Sequence, residues 1–200
     1  MSTLKPNGSR KDKEMEQRSA TQGAARRQEV KRLINEGARL LAQRKAKEAA
    51  PLLEKAFYLD PESLEVKINL GGAYILLGRF QDAIPILEEA ARQAPDNAMV
   101  WTNLAAAYLG HLDHSTPEQQ DAAIAAFKKA LEADSRAPNV DYNLGLIYLK
   151  RGDLTTALAH FQRALEVNPD DKDAAYYVKT LQAKLSAQPQ EQKEESDDNG

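Results

Sequence analysis

Residues Asn69 to Pro95, NLGGAYILLGRFQDAIPILEEAARQAP, lie on Asn143 to Pro169, NLGLIYLKRGDLTTALAHFQRALEVNP, without a gap. Asn, Leu, Gly, Tyr, Gly, Ala, Ala and Pro recur at the same places. A chain that repeats itself at a fixed interval is built by stacking one small motif on the next. The same template fits WTNLAAAYLG followed by AAIAAFKKALEADS, and, before both, INEGARLLAQRKAKEAAPLLEKAFYLDP. The chain therefore divides into repeats 30–63, 64–97, 98–137 and 138–171. Three have 34 residues and the third has 40, the extra six falling in GHLDHSTPEQQ.

Each repeat holds two amphipathic stretches. Helices shorter than about 12–15 residues are marginal in water, so the stretches must pack on one another to persist. In the fourth repeat Leu144, Gly145 and Tyr148 form one stripe and Ala157, Phe161 and Ala164 another, at the three- and four-residue spacing of a helix face. Gly145 and Ala157 lack bulk and predict a close approach of the two helix backbones. Gly78 and Gly152 stand where the first helix should end, in the left-handed cap that glycine adopts most cheaply. Pro61, Pro95 and Pro169 follow the second helix and stop it. Pro51 and Pro85 fall inside second helices, where proline costs about 3 kcal/mol except near the start. Those helices are therefore expected to begin late, close to Glu48 and Asp82.

Stacking leaves the last repeat with an apolar face. KDAAYYVKTLQAKL is expected to cover it as a capping helix over 172–187, with Ala175, Val178, Leu181 and Leu185 inward and Lys172, Lys179 and Lys184 outward. At the other end ATQGAARRQEVKRL is expected to extend the first helix backward. The domain thus runs 28–187. Residues 1–27 hold seven Lys/Arg against three acids and read as a basic arm, disordered or partly helical. Residues 188–200 hold one Lys against five acids and read as an acidic disordered tail.

Composition narrows the function. The sequence contains no cysteine, which excludes disulfide frameworks, cysteine nucleophiles and cysteine-ligated zinc and fits a reducing compartment. No stretch has the length and apolarity of a signal peptide or a membrane span, so a cytoplasmic protein without a membrane partner is expected. A net charge of −3 argues against nucleic acid as partner.

Taken together, the four repeats resemble tetratricopeptide repeat (TPR) proteins over residues 30–171. Trp101, Leu104 and Tyr108 match the family's first-helix positions in one repeat, and Leu70, Gly71, Tyr74, Ala83, Ala90 and Pro95 match in another. Glu36 takes a Leu place, Ala105 a Gly place and Ser135 a Pro place, so those turns are expected to be looser. The resemblance implies an all-α fold, a right-handed α-solenoid of antiparallel helix pairs. It also implies that first helices line a concave groove which binds extended segments of partner proteins.

One residue recurs where the core cannot use it. Asn35, Asn69, Asn103 and Asn143 occupy the sixth place of each repeat. At about 100° per residue, that place lies about 150° around the first helix from its packing stripe. On the groove that the resemblance implies, four Asn would form a ladder. A side-chain amide offers an acceptor and two donors, so it can bond the N–H and C=O of an extended peptide without reading its side chains. Asparagines of this type grip peptide backbones in some TPR proteins. Repeat duplication alone also yields four Asn, solvated and inherited, and that alternative stands beside the first. Lys31, Glu65, Met99 and Asn139 share the face four residues earlier; Ala38, Gly72, Ala106 and Leu146 share it three residues later. Selectivity is expected from Lys31, Ile34, Ile68, Met99, Thr102 and Tyr142, with Leu76 and Lys150 nearby, which suits a partly apolar ligand. The Lys, Arg and Asn clamp of TPR proteins that hold chaperone tails is matched by Asn69, whereas Ile34, Ala38, Met99 and Asn103 depart from it.

Other chemistry is sparse. His111, Asp113 and His114 could be read as a metal set, but they sit in the insertion ahead of Thr116 and Pro117, which read as helix cap and first helical residue. A mobile polar loop is the expectation there. His160 stands alone on a second helix and is expected at a surface. No catalytic triad, phosphate loop or paired carboxylates stand out. The expectation is a protein that is not an enzyme, takes no cofactor or metal, and binds a protein or peptide. A scaffold or assembly factor acting through the convex face, the termini or self-association is the alternative. The sequence leaves the oligomeric state open.

Overall fold

The computed structural model describes residues 10–187 of the 200, with side chains from Glu14 onward. The described residues form two compact halves that meet in sequence between Gln93 and Ala94. The amino-terminal half contains α1 (Arg10–Ala42), α2 (Ala46–Leu59), α3 (Leu64–Leu76) and α4 (Phe80–Gln93). The carboxy-terminal half contains α5 (Ala98–Leu109), a 3₁₀ turn (Leu112–His114), α6 (Pro117–Ala133), α7 (Val140–Lys150), α8 (Leu154–Val167) and α9 (Lys172–Ser186). Among the described residues every regular element is helical, and each repeat is one pair of helices. The tail over 188–200 and the first nine residues of the arm lie outside the described residues.

Caps set the boundaries. Ser63 accepts from the Val66 N–H, Asn97 from Met99 and Val100, Asp153 from Thr156, and Asp171 from Asp173 and Ala174. Thr116 forms a reciprocal capping box with Gln119 behind Pro117. Gly78 and Gly152 take the left-handed conformation, with φ of 71° and 79°. Around each, the next N–H reaches back five residues, Arg79 to the Tyr74 carbonyl and Asp153 to Tyr148, so the last carbonyls of α3 and α7 are satisfied. The first repeat makes the same turn with Arg44, at φ 59°. There Lys45 donates to the Leu40 carbonyl at 2.9 Å, but the turn carries a Cβ that the conformation disfavours. The turn between the third and fourth repeats is altered as well: Asn139 has φ 63°, and α7 begins at Val140, the third place of its repeat.

Two boundary expectations are corrected. α2 starts at Ala46 and α4 at Phe80, so Pro51 and Pro85 are each the sixth helical residue. Both prolines are exposed, as are Lys47 and Gln81 four residues earlier. Water can therefore reach the carbonyls that lose their partner and bond them in place of the missing N–H. At the other end α1 reaches back to Arg10, and Arg26 anchors it by donating from Nε and Nη2 to the Leu59 carbonyl at the end of α2.

Each helix pair is locked at one notch. A Cβ added at Gly37 would lie 2.6 Å from the Leu53 side chain, at Gly71 2.6 Å from Leu87, and at Gly145 2.8 Å from Phe161. The notch therefore admits a buried side chain of the second helix rather than its backbone, which refines the expected close approach. Leu53, Leu87 and Phe161 are fully buried. In the third repeat Ala105 takes the glycine place and packs in one cluster with Phe127, Val140 and Ile147.

The capping helix is rotated from its expected face. Ala174 and Leu181 are buried while Tyr177, Val178 and Leu185 are half-buried, and Ala175 is exposed. The cause is Tyr177, whose ring stacks on Phe161 with centroids 4.6 Å apart and draws that side of α9 onto α8.

Two substitutions test these turns and notches from opposite sides. Arg44→Gly removes left-handed strain of about 1–2 kcal/mol at a backbone-entropy cost of about 0.5–1 kcal/mol. The melting temperature should rise, and a fall contradicts the reading. Gly145→Ala gains about 1 kcal/mol of helix propensity but drives a methyl group into Phe161, at about 1–3 kcal/mol. Thermal unfolding should show a net loss.

Candidate functional site

The sixth-place asparagines sit where the helical count puts them, off the core. In the amino-terminal half Asn35 is exposed on α1 and Asn69 half-buried on α3, with Lys31 and Glu65 exposed one turn earlier and Ala38 and Gly72 half-buried one turn later. Leu76, 60% exposed, ends the α3 stripe and Ile68 flanks it, half-buried. In the carboxy-terminal half Asn103 on α5 and Asn143 on α7 are half-buried, Met99 is 61% exposed and Asn139 is exposed.

Two of the amides have a fixed orientation. Asn69 Nδ2 donates to the Glu65 carbonyl and Asn143 Nδ2 to the Asn139 carbonyl, both at 2.8 Å. Each bond uses one of the two amide hydrogens. It leaves one N–H and both lone pairs of Oδ1 for another molecule, on a side chain whose rotamer is already held. Thr102 Oγ1 turns back in the same way onto the Ala98 carbonyl, at 2.8 Å.

One sequence-predicted contact lands elsewhere. Ile34 is 4% exposed and packs with Leu33, Ala56 and Val66, so it is core and is withdrawn from the face. Its place lies between the stripe and the sixth place, and α3 covers it. Tyr142 is half-buried, edge-on to Phe161 at 5.6 Å and tilted against Tyr177 at 6.4 Å. Burial first, then Tyr177 and the carboxylates of Asp173 and Asp171, hold its hydroxyl above the usual phenol range.

The fourth place of each repeat carries chemistry that the sequence reading missed. Leu33, Lys67, Trp101 and Asp141 stand there, and Lys67 and Asp141 are buried charges. Lys67 Nζ bonds Gln93 Oε1 at 3.2 Å, with Glu62 at 3.7 Å and Glu89 at 4.0 Å. Asp141 Oδ1 meets His160 Nδ1 at 2.8 Å and lies 3.6 Å from Arg163 Nε. His160 is therefore not alone at a surface: it is paired, and its ring stacks on Tyr148 with centroids 5.4 Å apart. Glu89 and Arg163 both stand 22 residues after their partners, so the second and fourth repeats hold the same pair with its signs exchanged. Aligning the fourth place with the place 22 residues on was the available signal.

The insertion is not a free loop. Leu112 tucks against the core, and its carbonyl accepts from Ser115 Oγ at 2.8 Å and from Lys150 Nζ. Arg151 donates to Gln120 Oε1 at 2.8 Å and to Asp121 Oδ1 at 2.7 Å. Among the described residues no three His, Cys, Asp or Glu side chains converge as metal ligands, and no helix is long and apolar enough to cross a membrane.

Known proteins bear on these features. Tetratricopeptide repeat models match residues 40–108 and 142–171. The chain is 42% identical over 62 residues to anaphase-promoting complex subunit 3 of Schizosaccharomyces pombe, covering 31% of this chain and 9% of that protein. It is 39% identical over 71 residues to superkiller complex protein 3 of Mus musculus, covering 36% of this chain and 4% of that protein. The chain thus spans less than a tenth of either relative. Among solved structures, a thermophilic TPR protein of Thermus thermophilus superposes with a TM-score of 0.67 at 20% identity, over 78% of this chain and 82% of that one. MamA of Desulfovibrio magneticus gives 0.60 at 24% identity, over 72% and 77%. These likenesses show the fold, an all-α solenoid of helix pairs.

The exchanged pair yields a prediction. Replacing a buried ion pair with apolar groups of similar shape is often neutral or stabilising by about 1–4 kcal/mol, and here Glu62 and Glu89 remain in water when Lys67 is lost. Lys67→Met should leave the melting temperature unchanged or raise it. A marked fall would show that the ammonium group itself holds α3 to α4.

Proposed function

Because the chain is a tetratricopeptide repeat protein, we propose that it is a non-enzymatic module that holds extended segments of a partner protein on its asparagine-bearing first helices. Protein–protein interaction is the family's general role. The finer reading is that Asn35 and Asn69 in one half, and Asn103 and Asn143 in the other, bond the peptide backbone. Lys31, Ile68, Met99, Thr102 and Tyr142 then select side chains. The observation that carries this reading is the orientation of Asn69 and Asn143, each with one N–H spent on its own helix and the remaining N–H and Oδ1 unused. Small residues beside them, Ala38, Gly72 and Ala106, let a second backbone approach within hydrogen-bond distance. The absence of cysteine suits a cytoplasmic setting, with the basic arm 1–27 and the acidic tail 188–200 flanking the domain 28–187.

A second reading draws on the relatives, whose names place them in multisubunit complexes. On it the chain is an assembly factor that works through its outer helix faces or its ends.

One comparison separates the two. Affinity capture from native lysate is run with the protein and with the Asn69→Ala, Asn103→Ala double variant. Loss of the captured partner at an unchanged melting temperature supports the asparagine faces, while retention at full strength moves the interaction to the outer surfaces.

A further inference from the structure

A recess of about 280 Å³ opens in the carboxy-terminal half between the start of α7 and the end of α8. Its walls include Ala137, Pro138, Ala164 and Val167, and its polar groups are those of Asp141 and Asp171 with the amides of Asn139 and Asn168. We propose that this recess binds an alkyl-guanidinium, the side chain of an arginine on a partner protein. Asp141 at the fourth place lies about 200° around α7 from Asn143 at the sixth, while Asn139 and Tyr142 border both the recess and the asparagine face.

The argument begins with Asp141, which is 3% exposed. Its contacts with His160 and Arg163 both fall on Oδ1. Among the described residues no buried side-chain nitrogen or oxygen is left without a partner. Oδ2, which carries no hydrogen bond, must therefore open onto accessible space, and the recess is the space this residue lines. A carboxylate oxygen at the floor of a cleft with both polar and apolar walls is a strong acceptor for a charged donor, and Ala137, Pro138, Ala164 and Val167 offer apolar surface to the methylene stem of a long cationic side chain.

The surrounding charges favour a cation. The N-termini of α7 and α9 each contribute about +0.5 charge, and the C-terminus of α8 about −0.5. The carboxylates of Asp141 and Asp171 outweigh the two N-termini, and the field of Asp171 is felt at the Tyr142 hydroxyl beside it. Arg163 is 48% exposed and lies beyond hydrogen-bond distance of Asp141, so water screens its charge and its pairing is weak. The fold itself sets a guanidinium on this end of α8, where Arg136 Nη2 donates to the Glu166 carbonyl at 3.2 Å. In the second repeat the fourth place holds the chain's own cation, Lys67, which lines a separate recess with Glu62 and Glu89. Asp141 stands at that lysine's place in the fourth repeat, and its nearest guanidinium, Arg163 at 3.6 Å, makes no hydrogen bond to it, which leaves Oδ2 for an incoming cation. Guanidinium suits the site better than ammonium because its planar fork can bond Oδ2 and a neighbouring acceptor together.

The test titrates N-acetyl-arginine amide into the full-length ¹⁵N-labelled protein, with N-acetyl-glutamine amide as the neutral control. Amide resonances of residues 137, 139–142, 164–168 and 170–171 should move with the arginine compound and not with the control. Asp141→Asn should weaken binding by roughly tenfold, which is about 1.4 kcal/mol. Val167→Phe fills the recess without touching the Asp141–His160 pair, so it keeps the test valid if Asp141→Asn fails to fold, and it should abolish the shifts. Shifts absent from the wild type, equal for both compounds, or undiminished in Val167→Phe overturn the proposal.

Discussion

The side chain that enters a glycine notch is the interaction on which the rest of the structure rests. A helix of 11 to 14 residues, the length of α7, α8 and the other short elements, has too little internal cooperativity to persist in water. Leu87 against Gly71 and Phe161 against Gly145 convert two such helices into one folding element, and Leu53 against Gly37 fixes the short α2 to the longer α1. Each interlock also fixes rotation. Once the eighth place of the first helix is turned to the second helix, the sixth place is turned away from it, and an asparagine there cannot reach the core. The surface that could serve a partner is thus a geometric consequence of the packing, with no residue set aside to orient it.

Much of this can be read before any coordinates. The repeat boundaries, the left-handed glycines 78 and 152, the cap at Thr116 and the outward asparagines all follow from spacing within about one turn of helix. What escapes such reading has a physical reason in each case. Spacing misplaces the starts of α2 and α4 because a proline penalty depends on whether the orphaned carbonyl meets water, and exposure is a tertiary fact. Ile34 reads as a face residue because a helical wheel measures angle within one helix, whereas its burial comes from the neighbouring hairpin. The tilt of α9 depends on one ring, Tyr177, finding Phe161, and no periodicity encodes that.

The buried charges at the fourth place show a different kind of limit. Lys67 and Asp141 are charged residues of a type seldom fully buried, yet both are almost fully enclosed. They are tolerated because opposite or polar groups lie within reach: Gln93 and Glu89 of the second helix with Glu62 of the preceding turn for the lysine, and His160 and Arg163 of the second helix for the aspartate. The inversion of sign between the second and fourth repeats means that the two hairpins share a backbone plan but not an electrostatic one. Duplicated repeats can therefore keep one packing scheme while their recesses come to differ in the ligand charge they favour.

The central claim is that the sixth-place amides contact a bound peptide directly, and side-chain amide NMR addresses it most closely. The account predicts that adding a saturating partner segment moves the Nδ2 resonances of Asn35, Asn69, Asn103 and Asn143 and slows their hydrogen exchange, with smaller effects on the second helices. Unmoved asparagine amides in a saturated complex, with the changes confined to α2, α4, α6 and α8, would contradict it.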